Sequence, residues 1–482
     1  MRRSVAAERN MTESRPTLSP REAGQSRPQD GRSPSGRKPR KLSTAQILAI
    51  GYFGIILFGT FLLALPISSR SGEWTDFFDA LLTATSATCV TGLIAVPTAV
   101  HWNAFGIIVI ILLIQIGGLG FMTFVTLFSF ALGRRIGLYE RTLLEQSAGA
   151  FSKGGIVRLV KRILIFTFSV ELIGAALLAI PFCRDYGAGM GIGMALFHSV
   201  SAFCNAGFDI LGTAQNPFAS LTAYSGNAIV NFTICGLILV GGMGYVVWSD
   251  IWDKRFRYRR FRLHTRIVLC ASVIIVFLPT LLLFLFEHNT EILAGKSAWE
   301  RFLICFFQAV TPRTAGFNTV DIAALTDSSK LLIMILMFIG GNSGSTAGGI
   351  KVTTLVVILF SLYSSMRNQK EIVIGKRSLD LSLAKQAMAL FTIYLFIVLA
   401  ATMIICAIEP FGVLDVAFEC VSAIGTVGLT TGITPLLSKG SEFIISLLMY
   451  AGRLGVLTLA TAMMESKVKP LTKRPTEKIL IG

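Results

Sequence analysis

Apolar runs of about 20 residues recur along the chain, and they restrict its fold more than any other feature. Such runs lie at 45–66, 104–130, 163–182, 227–248, 267–286, 331–361, 387–408 and 443–464. A helix of about 20 apolar residues is long enough to cross the hydrocarbon core of a bilayer. Only 15% of the residues are charged, against roughly 25% in a soluble domain. The chain is therefore predicted to be an all-α polytopic membrane protein.

The basic residues, which give the chain a net charge of +17, are unevenly distributed between the predicted spans. They concentrate in alternate connecting segments, with 11 in 1–44, seven each in 133–162 and 252–266, and five each in 366–385 and 464–478. The other connections hold only seven together. The positive-inside rule then predicts a multi-pass protein of the cell membrane with both termini in the cytoplasm. The run 254–266 is interpreted as a topology signal beside anionic lipid head groups or as a docking site for a cytoplasmic partner, and not as a nucleic-acid site.

The sequence does not predict an enzyme or a transition-metal site. The eight cysteines form no C-x-x-C pair, and the four histidines are scattered. Neither H-E-x-x-H nor G-x-S-x-G occurs, and no pair of intramembrane carboxylates is visible. No cofactor is expected in this chain. The polar N-terminus, rich in Arg, Ser and Pro, is predicted to be disordered.

Four short glycine-containing stretches recur at nearly equal intervals. They read "TCVTGL" (88–93), "FCNAGF" (203–208), "PRTAGF" (312–317) and "GTVGLT" (425–430), so that their shared glycines are separated by 115, 109 and 112 residues. Each follows a semi-apolar segment too short to cross a bilayer, which favours a re-entrant helix. Glycine lets backbone approach a ligand closely. Packing between helices through small residues explains one such stretch, but not four in the same context.

The recurrence predicts four membrane–pore–membrane repeats in one chain, with eight transmembrane helices and four re-entrant pore helices. The pore is predicted to have pseudo-fourfold symmetry, like that of a potassium channel. The predicted divisions are an N-terminus at 1–44, repeats at 45–132, 133–249, 250–365 and 366–466, and a C-terminus at 467–482. Non-helical backbone at membrane depth is tolerated where it is buried in protein or lines a watery cavity. A ring of backbone carbonyls can replace the hydration shell of a cation.

A second glycine cluster follows each of these stretches. It occupies 117–120, 241–244, 340–349 and 451–455, and only the third copy is expanded, to "GGNSGSTAGG". Close backbone approach or a helix break would account for the glycines. The third copy is interpreted as a loop below the filter that blocks ions and can move aside. A phosphate-binding loop is disfavoured because Ile350 separates the second glycine from Lys351 and no strand precedes it.

Taken together, these motifs resemble the Ktr/Trk/HKT superfamily of potassium transporters over residues 45–470. The resemblance rests on "ATCVTGL", "SAFCNAGFD", "AVTPRTAGFNTVD", "SAIGTVGLTTG", "GGNSGSTAGGIK" and "AGRLG". The chain is most similar to the membrane subunit of Ktr systems. The resemblance implies potassium uptake with potassium ions bound in the filter, sodium as a possible activator, a homodimer, and a cytoplasmic ring of nucleotide-binding (RCK-type) subunits.

The resemblance also implies roles for individual positions. The filter would be formed by the backbone of Val90, Thr91, Gly92, Asn205, Ala206, Gly207, Thr314, Ala315, Gly316, Thr426, Val427 and Gly428. The gate would be formed by Gly340, Gly341, Asn342, Ser343, Gly344, Ser345, Thr346, Ala347, Gly348, Gly349 and Lys351. Plant relatives that prefer sodium carry Ser at the position of Gly92, so the glycine favours potassium.

Five charged positions receive more specific predictions. Arg453 either forms a pore constriction or is a structural residue bonded to carbonyls or a carboxylate, since Arg at membrane depth faces a cavity or a partner. Arg313 and Glu419 are predicted to form a bridge that supports the filter, because buried charges are paired. Asp209 and Asp321 either attract cations to the outer mouth or cap loops.

Two other functions remain open at this stage. The first is a sodium-permeable or ion-coupled cation transporter working by alternating access, although such folds usually contain inverted repeats. The second is a structural assembly subunit without transport activity.

Overall fold

The computed structural model describes residues 43–120, 156–369, 371–375, 377–456 and 458–459. The predictions for most of the N-terminus 1–44, for the start of the segment 133–162 and for the C-terminus 467–482 concern residues outside these ranges. The described chain is almost entirely α-helical.

The first quarter of the described chain contains one long helix, two further helices of 13 and 16 residues, and a four-residue turn of helix between them. These are α1 (Thr44–Ala64), α2 (Phe77–Cys89), α3 (Thr98–His101) and α4 (Ala104–Leu119). Side-chain caps fix where they begin. Ser43 and Gln46 form a capping box at α1, while Asp76 and Asn103 accept backbone N–H groups of α2 and α4.

The next part repeats this order with a longer first helix. Its helices are α5 (Ile156–Tyr186), α6 (Ala188–Cys204), α7 (Ala228–Gly242) and α8 (Tyr245–Asp253). Asn227 caps α7 by accepting the Val230 N–H. The axes of α7 and α8 meet at 90°.

The second half of the chain contains two further sets of helices and a small hairpin. Its helices are α9 (Leu263–Phe286), α10 (Ala298–Val310), α11 (Asp327–Phe338), α12 (Val352–Met366), α13 (Leu381–Ile408), α14 (Val413–Gly425) and α15 (Lys439–Leu454). Strands β1 (Ile372–Ile374) and β2 (Arg377–Leu379) pair antiparallel between α12 and α13. Short 3₁₀ turns lie at Pro66–Ser68, Thr222–Tyr224, Tyr258–Arg260 and Thr434–Leu436.

Four described helices are long and apolar enough to cross a membrane, and the bent pair α7–α8 makes a fifth candidate. They confirm the prediction of a helical membrane protein. Two predicted spans, 227–248 and 331–361, are not continuous helices: the first bends after Gly242, and the second is interrupted between Phe338 and Val352. The predicted spans 104–130 and 443–464 extend beyond the described residues, which end at 120 in the first span and at 459 in the second.

The helices contact one another in a closed cyclic order. Each of the short helices α2, α6, α10 and α14 packs against the long helix before it and the helix after it. Each also packs against a helix of the preceding unit: α6 against α4, α10 against α7, α14 against α11, and α2 against α15. The last contact joins the two ends of the described chain, so the four short helices surround a common centre.

Apolar side chains lie on both the inside and the outside of this assembly. The interior contains fully buried aromatic residues such as Phe203, Phe307 and Phe418. The long helices also expose large apolar side chains, among them Leu172 at 68% and Met403 at 74%. An exposed apolar surface of this kind is suited to contact with lipid.

Candidate functional site: a ring of four glycine turns

Each short helix leads into a turn with the same backbone conformation. The turn contains a left-handed non-glycine residue and, two positions later, a glycine with positive φ. The left-handed residues are Val90 (φ 59°), Asn205 (61°), Thr314 (69°) and Thr426 (51°). Branched residues such as Val and Thr are rare in this region and stay there only when surrounding contacts fix them.

The four glycines of these turns lie against one another in a ring. A Cβ atom on Gly92 (φ 100°) would lie 2.5 Å from the carbonyl oxygen of Ala206. Gly207 contacts the next turn at Gly316 in the same way, Gly316 contacts Gly428, and Gly428 contacts Gly92. The carbonyls of the residues before the glycines face these contacts; they belong to Thr91, Ala206, Ala315 and Val427. Any larger side chain at these glycines would collide with backbone.

Hydroxyl side chains in the last turn of each short helix, or just after it, brace the ring, a feature that the sequence analysis missed. The backbone carbonyls of Ser86, Ser201, Thr311 and Ser422 accept the N–H groups of Thr91, Ala206, Ala315 and Val427 at 2.7–3.0 Å. The hydroxyls of Ser86 and Ser422 accept the Gly92 and Gly428 N–H groups at 2.9 and 3.1 Å. Those of Ser201 and Thr311 donate to backbone carbonyls beyond the glycine. The sequence contains a Ser or Thr five or six residues before each shared glycine, and this recurrence could have predicted the bracing.

The predicted bridge between Arg313 and Glu419 is wrong. Both side chains are buried and both are described, yet they do not pair: Arg313 donates to the Ser272 hydroxyl at 3.4 Å. Adjacent turns are instead linked by Asn205, whose amide donates to the Arg313 carbonyl at 3.1 Å and to Thr314 Oγ1 at 3.3 Å. The sequences of two loops do not reveal which way their side chains rotate, and the amide link that does form joins the second and third turns, not the third and fourth.

Glu419 supports the segment that follows Gly428. Its carboxylate accepts the hydroxyl of Thr430, the N–H of Thr431 at 3.1 Å and the hydroxyl of Thr434 at 2.7 Å. Three donors compensate for the desolvation of a buried carboxylate without a cationic partner. Glu419 therefore holds the chain beyond the fourth turn in place.

The second glycine cluster serves both of the purposes considered for it. A Cβ on Gly117, Gly241 or Gly452 would overlap the carbonyl oxygens of Thr88, Phe203 or Ile424 at the ends of α2, α6 and α14. The helices that carry these glycines then end at Leu119, Gly242 and Leu454, and a glycine with positive φ follows each end within two residues, at Gly120, Gly244 and Gly455. Close approach and helix interruption therefore occur together.

The third copy is a non-helical segment beneath the ring, between α11 and α12. The backbone and side-chain N–H groups of Asn342 donate to the Gly242 carbonyl at 3.1 and 3.0 Å. The Gly344 carbonyl accepts the Tyr245 N–H at 2.8 Å, and a Cβ on Gly348 would collide with the Thr426 hydroxyl. The segment therefore touches both the break between α7 and α8 and the fourth turn.

Two cationic side chains hold this segment. The Arg453 guanidinium donates to the carbonyls of Thr346 and Gly117, joining α15, the segment and the end of α4. The Lys351 amine donates to the carbonyls of Ala347 and Gly348 at 2.8 and 3.1 Å. Of the two interpretations of Arg453, the structure supports a bond to carbonyls, and it places that bond at the segment interpreted as a gate.

The two aspartates beyond the turns cap their own loops. Asp209 accepts the Leu211 N–H at 3.2 Å, and Asp321 accepts the Ala323 N–H at 2.9 Å. The ends of the four short helices that face the ring are C-terminal, and C-termini carry partial negative charge. Together with the backbone carbonyls they form an environment that favours a desolvated cation.

Comparison with known proteins agrees with this arrangement. The family model described as "TrkH: Cation transport protein" matches residues 39–469. The chain belongs to this family. The ring and the interrupted segment both lie within the matched residues.

Two curated relatives cover almost the whole chain. The Ktr system potassium uptake protein B of Bacillus subtilis is 41% identical over 87% of this chain and 92% of its own. The potassium/sodium uptake protein NtpJ of Enterococcus hirae is 38% identical over 92% of this chain and 99% of its own. Among solved structures, the potassium transporter TrkH from Vibrio parahaemolyticus has a TM-score of 0.69 at 18% identity, covering 89% of this chain and 86% of that one. At this identity the likeness concerns the fold.

Proposed function

We propose that this protein takes up potassium across the cell membrane through the centre of the ring. The observation that carries the proposal is the closed order of the four turns, in which the carbonyls of Thr91, Ala206, Ala315 and Val427 meet backbone of the neighbouring turn. Carbonyl oxygens held in this way can replace the water around a cation. The names of the relatives, which include potassium uptake proteins and a potassium/sodium uptake protein, support potassium as the ion. The twelve filter positions predicted from the sequence and the four-repeat pore are part of this proposal.

The segment 340–351 is proposed as the gate. It lies against the fourth turn and is bonded to three parts of the chain, through Asn342, Thr346 and Gly344. Its glycines allow it to pack where larger side chains would collide. Opening requires the hydrogen bond between Arg453 and the Thr346 carbonyl to break, so Arg453 holds the gate closed at a constriction.

The surroundings of the pore are proposed from the charge pattern and the relatives. Both termini lie in the cytoplasm, on the side of the basic segments. The protein forms a homodimer on a ring of cytoplasmic nucleotide-binding subunits, and sodium raises its activity. Relatives named as Ktr system components support a partner subunit.

Potassium uptake in cells that lack their own uptake systems tests the proposal. We would compare the wild type with a deletion of 343–348 and with Gly92→Ser, each with and without external sodium. Saturable potassium uptake, faster after the deletion, is expected. Gly92→Ser adds a Cβ that would lie 2.5 Å from the Ala206 carbonyl oxygen, so it should disturb the ring and admit sodium.

The matched control for Gly92→Ser is Gly72→Ser. Gly72 also has positive φ (72°), but no heavy atom lies within 4 Å of its Cβ position. This control should leave selectivity unchanged. No potassium flux from any version, even with a cytoplasmic regulatory subunit supplied, would contradict the pore. Sodium-coupled uptake that the loop deletion abolishes would instead favour alternating access.

A further inference from the structure

An apolar cavity of about 340 Å³ lies between the first half of α5 and the helix α8. It is distant in the chain from the four turns, and the proposed mechanism does not use it. Its lining includes Arg162, Phe166, Ser169, Tyr245, Trp248 and Trp252. Its volume lies within the range of roughly 300–1,000 Å³ that is usual for small-molecule sites. The cavity can therefore admit a flexible hydrocarbon chain.

The position of α8 places this cavity at the edge of the membrane. The axis of α8 turns 90° away from that of α7, so α8 runs across the direction of the apolar helices. Trp252 on α8 is 71% exposed, and Trp248 packs on Phe166 with the ring centroids 5.1 Å apart. Tryptophan is enriched where hydrocarbon meets head groups. A helix with this orientation and composition is typical of the interface.

The mouth of the cavity is basic. Arg162 pairs with Asp253 at 3.1 Å, yet its side chain remains 53% exposed. Exposed basic residues flank this pair along the chain, at Arg158 and Lys161 on α5 and at Lys254, Arg255 and Arg257 after α8. One carboxylate does not neutralise this cluster. Basic pockets beside transmembrane helices attract anionic lipid head groups, because their charges are opposite.

We propose that the cavity binds one acyl chain of an anionic phospholipid whose phosphate lies at Arg162. The chain fills the space between Phe166 and Trp248, and the head group lies beside the basic residues. The protein would then have a lipid as a ligand. This binding does not depend on which leaflet of the bilayer the cavity faces.

The same site is connected to the segment proposed as the gate. Tyr245 lines the cavity, and its backbone N–H donates to the Gly344 carbonyl at 2.8 Å. A lipid that fixes α8 therefore also fixes one bond of the segment. This consequence rests on the proposed function, whereas lipid binding itself does not.

Quenching of tryptophan fluorescence by brominated acyl chains tests the binding. The full chain would be reconstituted in phosphatidylcholine bilayers that contain brominated phosphatidylglycerol or, in parallel, brominated phosphatidylcholine. The variant Trp248→Phe/Trp252→Phe gives the signal of the other three tryptophans for subtraction. Brominated phosphatidylglycerol should quench at about fivefold lower mole fraction, as expected for one basic side chain near a head group.

Two variants and two controls separate the head group from the chain. Arg162→Gln should remove the preference for phosphatidylglycerol, and Ser169→Phe should fill the cavity and abolish quenching by either lipid. Arg184→Gln and Leu172→Phe, on the same helix but outside both the cavity and the basic cluster, should behave like the wild type. Equal quenching by both lipids in the wild type would overturn the anionic preference. Quenching unchanged by Ser169→Phe, or absent for both lipids because another protein surface covers the cavity, would overturn the site.

Potassium uptake by the same vesicles tests the connection to the gate. Replacing phosphatidylglycerol by phosphatidylcholine should change the uptake rate of the wild type and leave that of Ser169→Phe unaffected. Preferential quenching without any potassium flux would keep the lipid site and contradict the proposed function. Flux that responds to lipid equally in both proteins would contradict the connection.

Discussion

Ser422 shows how a single hydroxyl contributes to the ring. Its carbonyl accepts the Val427 N–H at 2.9 Å and its hydroxyl accepts the Gly428 N–H at 3.1 Å. Ser422→Ala leaves a buried N–H without a partner, which costs roughly 1–3 kcal/mol. We expect the ratio of potassium to sodium uptake to fall by about tenfold, the effect of about 1.4 kcal/mol. Paired uptake measurements with the two ions give this ratio.

Ser446→Ala is the matched control for that variant. Ser446 is also buried, and its hydroxyl donates to the Glu442 carbonyl within α15, away from the ring. Its loss leaves no N–H group unpaired. Equal loss of selectivity in both alanine variants would show that the hydroxyl of Ser422 acts through general stability.

Arg313 and Glu419 are expected to act independently. They share no contact, since Arg313 binds Ser272 and Glu419 binds the segment 430–434. In a double-mutant cycle with Arg313→Gln and Glu419→Gln, the changes in apparent free energy for potassium should add to within about 0.5 kcal/mol. The apparent KM for uptake of the wild type and the three variants supplies the cycle. A coupling above roughly 1 kcal/mol would restore the bridge predicted from the sequence.

At the residue scale, the sequence predicts the backbone role of the glycines better than it predicts which side chains contact each other. A glycine satisfies a local backbone requirement, such as the positive φ at Gly92. Because the requirement is local, the regular spacing of these glycines can be recognised in the sequence. The link from Asn205 to the neighbouring turn joins residues 108 and 109 positions apart. Such a contact depends on how the turns are rotated about the ring, and spacing contains no information on that rotation.

At the scale of elements, the junction between α7 and α8 connects the ring to the proposed gate. Gly244 has φ 95°, and a Cβ there would lie 2.7 Å from the Ser343 carbonyl oxygen. Gly244→Ala places a side chain in a sparsely populated backbone region, which costs roughly 1–3 kcal/mol, and pushes against the segment. We expect faster potassium leak from loaded cells at low external potassium, measured as efflux.

Gly236→Ala provides a control within the same helix. Gly236 lies in α7 with no heavy atom within 4 Å of its Cβ position, so alanine should be tolerated and favour the helix. Its efflux should match that of the wild type. A leak common to both variants would assign the effect to α7 as a whole.

Apolar length alone did not predict these interruptions. The runs 227–248 and 331–361 are apolar enough for continuous spans, yet each is broken where its backbone bonds to another part of the chain. The Gly242 carbonyl accepts Asn342, and the Gly344 carbonyl accepts Tyr245, so the two breaks stabilise each other. Glycine clusters marked the places, while the 90° bend between α7 and α8 depends on tertiary contacts.

At the scale of the whole molecule, the cyclic order of contacts explains how one chain can form a closed ring. The contact between α2 and α15 joins helices more than 340 residues apart and completes the circle. The charge pattern predicts that the basic segments face the cytoplasm. This orientation is a prediction that labelling can test.

Single cysteines on opposite faces test the orientation. Ser71, between α1 and α2, and Arg257, after α8, are both exposed and lie outside the α-helices. The eight native cysteines are first replaced, and Ser71→Cys or Arg257→Cys is then added. A membrane-impermeant maleimide applied to intact cells should label Ser71→Cys, and should label Arg257→Cys only after permeabilisation. The reverse pattern would place the seven basic residues of 252–266 outside the cell and contradict the positive-inside prediction.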